Sequence, residues 1–129
     1  MAVIFPDIEP ILVAHLKTEL VDAGYDDVYV ATKRAQPDDE QSLQVIVNAS
    51  YQGTVERVLR EGSAVIEVFS TDYEDANQVA LTVGAVLDSV VGDPIKMVEV
   101  SLGPVRLADD GPFERRSLSV DLMVKGTDF

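Results

Sequence analysis

Few side chains in this sequence have a type and spacing that could do chemistry. The one histidine, His15, stands four residues before Glu19, on the flank of a helical pattern beside Ile11. A general-base histidine needs a nucleophile and an orienting acid, and no such triad is visible, so His15 reads as a boundary residue. Acids cluster at Asp26-Asp27, Asp38-Asp39-Glu40 and Asp109-Asp110. None follows the D-x-[DN]-x-[DN]-G spacing of a calcium loop, and each falls in a stretch that reads as a solvated loop. Two carboxylates for glycoside hydrolysis would have to pair in space, and the absence of tryptophan leaves little surface for a sugar to stack on. There is no GxxxxGK[ST], GxGxxG or GxSxG motif, and one histidine without cysteine makes no zinc set. The remaining candidate is the basic pair Arg115-Arg116, the only one besides Lys33-Arg34. On a strand, neighbours point to opposite faces, so one arginine of a pair can touch a loop while the other reaches an acid.

The elements that would carry these residues follow from periodicity. Asp7 can cap a helix over residues 8–23, where Ile8, Leu12, Leu16, Leu20 and Ala23 recur at helical spacing, Pro10 is tolerated in the first turn and Gly24 is a stop. Val28–Lys33 and Leu43–Tyr51 alternate as strands, the second with Leu43, Val45, Val47 and Ala49 on one face. Gln52–Ser63 is bounded by Gly53 and Gly62 and reads as irregular or edge chain; Ala64–Ser70 is a third strand. Thr71 and Glu74 have capping-box spacing ahead of a helix with Ala76, Val79, Ala80, Val83, Val86, Leu87 and Val90 on one side, ended by Gly92 and Pro94. Leu81 and Ala85 extend its apolar surface toward a second partner. Ile95–Gly103 is a fourth strand. A loop from Gly103 to Pro112 leads to a fifth, with Leu118, Val120, Leu122 and Val124 on one face. Short connections favour antiparallel pairing. The expectation is a single α+β domain over residues 1–129: one largely antiparallel sheet of four to five strands with two helices on one face.

Composition sets limits. A chain of 129 residues with 47% hydrophobic content buries roughly two-thirds of its unfolded surface and holds a core without staples. No cysteine means no disulfide or thiolate chemistry, which fits a reducing compartment. No apolar run is long enough to span a bilayer, and MAVIFPDIEP lacks a basic n-region, so no secretory signal is expected there. The formal net charge is −13, from 23 acids and 10 bases. Such a surface keeps a protein soluble and repels nucleic acid and anionic lipid.

Three segments together carry a family resemblance: AVIEVFSTDYEDANQVALTVGAVLDSV, VEVSLGPVRLADDGP and RRSLSVDLMVKGT, with the opening helix PDIEPILVAHLKTEL. In their order the chain resembles the tail terminator proteins of long, non-contractile-tailed bacteriophages of actinobacterial hosts. The likeness covers nearly the whole chain and is architectural; Gln52–Ser63 fits it least. It implies a virion protein without an enzymatic step or cofactor, made in the host cytoplasm and placed at the head-proximal end of the tail. There it would form a homohexameric ring on the last ring of the major tail tube protein, end tail polymerisation, and offer a surface to head-completion or connector proteins. Genomic DNA would pass through the lumen without specific binding, and no membrane is involved.

A ring needs one patch of each subunit to meet a different patch on the next. The candidate contact residues, chosen on physical grounds, are Gly103, Pro104, Arg106, Asp109, Asp110, Pro112, Arg115 and Arg116, with the prolines preorganising the loop. Their counterpart is expected at Asp38-Asp39-Glu40 or on the free side of the second helix. The competing readings are a small-molecule-binding α+β domain and another phage connector or head-completion component.

Overall fold

Asp7 opens the first helix, α1 (Ile8–Asp22): its carboxylate accepts the Glu9 amide hydrogen at 3.3 Å. Ile8, Leu12, Leu16 and Leu20 form its buried stripe, and Gly24, at φ +104°, turns the chain out of the helix. The computed structural model, which describes residues 2–36, 41–109 and 111–128, places this helix against a five-stranded sheet. The strands are β2 (Tyr29–Ala31), β3 (Leu43–Glu56), β4 (Leu59–Ser70), β5 (Ile95–Leu107) and β6 (Glu114–Lys125), in the spatial order β2-β3-β4-β6-β5. Two short strands, β1 (Val3–Ile4) and β7 (Thr127–Asp128), pair separately and bring the chain ends together. The second helix, α2 (Tyr73–Val86), continues as a 3-10 turn over Leu87–Val90.

The α+β class, the five strands and the helices lying against the sheet are as the sequence predicts. Both helices share one core with the sheet: Leu12, Leu16, Val79 and Val83 meet Val45, Val47, Ile66, Leu118, Val120 and Leu122. The alternation read in β6 is observed, with Leu118, Val120, Leu122 and Val124 all buried. Burial of this many aliphatic side chains, at about 1.5–3 kcal/mol each, is the dominant favourable contribution to the fold.

Four local expectations are corrected. The segment Gln52–Ser63 is strand on both sides of the β3–β4 turn: its β3 arm is irregular as expected, with register shifts between Tyr51 and Thr54 and between Thr54 and Glu56, but its β4 arm is regular and paired with β6 as far down as Leu59 with Lys125. Gly62 is a strand residue whose missing Cβ leaves room for Ile8, since an added Cβ would lie 3.2 Å from its Cδ1. The first predicted strand shrinks to Tyr29–Ala31 and runs parallel to β3, because the eleven residues between them allow the chain to cross back. The cap of α2 is Asp72, which accepts from the Asp75 amide at 3.1 Å, and not Thr71. Finally, residues 103–107 are not loop. They belong to β5, where Val105, Arg106 and Leu107 pair with Ser117, Arg116 and Arg115. Gly103, at φ +104°, lies within the register shift between Leu102 and Val105, and a Cβ there would collide with the Ser117 carbonyl oxygen. The connection to β6 is therefore only residues 108–113.

Candidate functional site

The candidate contact residues lie at one end of the sheet, where the chain leaving β2 and the 108–113 turn come together. Arg34, just past β2, lies over the Phe69 ring at 4.1 Å and the Phe113 ring at 5.1 Å, and its Nη1 pairs with Asp109 Oδ1 at 3.2 Å. Cation–π stacking and an ion pair thus tie the two edges of the sheet across its centre. On the same face Arg115 forms an ion pair with Glu67, its Nε donating at 2.5 Å, and Nη1 reaches the Ala108 carbonyl at 3.4 Å.

The opposite face carries a second cluster. Arg116 is 4% exposed, beside α2. Its Nε donates to Asn77 Oδ1 at 2.9 Å, and Nη1 donates to the Arg115 carbonyl at 3.1 Å and to Glu114 Oε1 at 3.4 Å. Its Nη2 is buried with no hydrogen-bond partner among the described residues, and the guanidinium lies 5.1 Å from the Tyr73 ring centre. Arg106 shares Glu114 Oε1 at 3.0 Å but remains 63% exposed.

Each predicted contact residue but Asp110 has a definite place. Arg115 and Arg116 do divide between the two faces, yet both guanidinium groups are engaged within their own chain. Asp109, with its side chain 10% exposed, is held by Arg34. Gly103, Pro104, Arg106 and Pro112 are exposed. Asp110 lies outside the described residues, as does the proposed counterpart Asp38-Asp39-Glu40. On α2, Leu81 is 57% exposed, so the free side of that helix is bare as expected. His15 is a boundary residue: its Nε2 lies 3.0 Å from the Val86 carbonyl oxygen and 2.9 Å from Ser89 Oγ, fastening α1 to the end of α2.

Reasoning from sequence missed Arg34, Phe69, Phe113, Glu67 and Asn77. The Lys33-Arg34 pair was visible, but its aromatic partners lie tens of residues away and only the sheet brings them together.

A groove of about 760 Å³ lies between α1 and β2, lined by Pro10, Val13, Lys17, Asp27 and Val30, with Gln41 and Ser42 ahead of β3 also in its wall. Lys17 Nζ donates to the Val28 carbonyl in its wall. Among the described residues no group of three or more His, Cys, Asp or Glu side chains is placed to hold a metal, and no helix is long and apolar enough to cross a membrane. No protein-family model matches the chain, and no curated protein matches its sequence.

Proposed function

We propose that this protein is a phage tail terminator: a structural virion protein that forms a ring on the end of the tail tube, stops its growth and presents a surface for head joining. The observation that carries this reading is an open sheet with two unlike outer strands. β2 is three residues long beside a groove, and β5 is thirteen residues long and largely exposed. A closed ring of identical subunits is built from such unlike patches, each meeting the other on the next copy. The resemblance in the order of its elements, with α1 ahead of the strands of the five-stranded sheet and α2 set between β4 and β5, supports the same reading. So does the acidic surface, which lets DNA pass without adhering.

The β3–β4 hairpin is longer than the sequence suggests, and a long hairpin is a property expected of tube proteins. Here the β4 arm is paired with β6 along its whole length, so the hairpin does not stand apart from the sheet as a free arm.

Tails assembled with and without the protein test the proposal. With it, tails have uniform length and extra mass of six copies at one end. Without it, tube polymerisation runs on. Tails of equal length in both cases, with no copies at the tube end, would refute the reading.

A further inference from the structure

We infer that copies of the chain join sheet to sheet, with Val105–Leu107 of one copy lying antiparallel beside Tyr29–Ala31 of the next. This rests on the self-assembly in the proposed function and specifies its contact.

The register comes from the hydrogen-bonded rows of the sheet. One row runs Tyr29, Gln44, Phe69, Arg115, Leu107; the next Val30, Val45, Val68, Arg116, Arg106; the third Ala31, Ile46, Glu67, Ser117, Val105. The three residues of β2 are therefore level with the last three of β5, at opposite ends of the same rows. Those three β5 residues also form a regular stretch, beyond the irregularities at Gly103 and Pro104. A copy related by rotation about an axis along the strands brings the two stretches side by side. Direction is fixed as well. β2, β3 and β6 run one way and β4 and β5 the other, so β5 meets the next β2 antiparallel. Leu107 then faces Tyr29, Arg106 faces Val30, and Val105 faces Ala31.

Among the described residues no strand pairs with the outer edge of β2 or of β5, and unpaired strand edges are templates for further pairing. The part of β3 that β2 leaves uncovered is occupied differently: Glu9 Oε2 accepts the Ala49 amide hydrogen at 3.0 Å. The side chains match. Val105 and Leu107, 37% and 39% exposed on the face without helices, would pack on Ala31 and Tyr29. Arg106, on the helix side, would enter the groove between α1 and β2, whose wall carries Asp27 with Asp26 beside it. In a chain of net charge −13, an exposed arginine meeting two acids is the complementarity a self-contact requires. Lys17 stands in the same groove with its ammonium engaged by the Val28 carbonyl.

The sequence has no cysteine, which makes the test clean. Val105→Cys and Ala31→Cys single variants are treated with a short bismaleimide, separately and mixed, and light scattering follows assembly of the same samples. The mixture should give a covalent dimer that neither variant gives alone. Arg106→Asp should weaken association about tenfold or more, and Asp27→Arg in the same chain should restore it. A ring that forms without the mixed cross-link, or Val105→Cys linking to itself, would overturn this contact and leave the ring standing. A monomer in concentrated solution and on tails would overturn both.

Discussion

Arg116 Nε and Asn77 Oδ1 meet at 2.9 Å and join the middle of the sheet to the first turns of α2. The arginine is almost wholly buried, so this is a contact of the fold. Removing one partner of a buried charged network costs about 3–5 kcal/mol. Arg116→Ala should therefore lower the melting temperature sharply. Arg106→Ala, which loses an exposed pair with the same Glu114, should cost less than about 1 kcal/mol. Differential scanning calorimetry of the two variants checks this, and similar melting would contradict the division of roles.

The two faces of α2 should differ as strongly. Val83 is fully buried and Leu81 is 57% exposed. Val83→Asp should cost several kcal/mol, at least about 3, because a carboxylate would enter an apolar core. Leu81→Asp should leave the denaturation midpoint within about 0.5 kcal/mol of wild type. Equal effects would place the helix in the wrong phase.

How far the sequence reveals this fold depends on the element. Side chains repeating at helical spacing, from Ile8 to Leu20, or alternating from Leu118 to Val124, report burial directly, and α1 and β6 are legible for that reason. Glycine and proline mislead where tertiary pairing overrides local preference. Gly62 clears space for Ile8 inside a strand, and Gly103-Pro104 falls within β5 because β6 pairs on both sides of it. The parallel course of β2 was hidden because a connection's length permits either direction. At the candidate site the arginine pair was visible, as was Glu114 beside it, but the other acid, the amide and the rings that hold it come from β4 and α2.

Gly103 offers a separate test. At φ +104°, with no room for a Cβ beside Ser117, Gly103→Ala should cost about 1–3 kcal/mol. Gly53→Ala, where an added Cβ meets nothing within 4 Å, should be mild. Urea denaturation of both variants distinguishes a required backbone conformation from a general intolerance of glycine replacement.

The N-terminal segment is fastened by Tyr51, whose hydroxyl donates to the Pro6 carbonyl at 2.5 Å and whose ring meets Phe5 edge-on at 5.7 Å. Burial raises the phenol above its ordinary value of 10.0, against the opposing pull of Arg60. A raised folded-state value means the neutral form is favoured by folding. The stability it contributes is present below the unfolded value and is lost as pH rises through the folded one. Ultraviolet titration should show a tyrosine component ionising above 10.0, and Tyr51→Phe should abolish the part of it that Tyr51 contributes. A titration unchanged in Tyr51→Phe would contradict the assignment.

The central claim is tested most directly by the mass of the assembled protein. Light scattering or native mass spectrometry on concentrated protein, and on copies released from tails, should give six times the 14.0 kDa chain mass in one closed species. A strict monomer in both preparations, or an open series of sizes without a closed ring, would contradict the account.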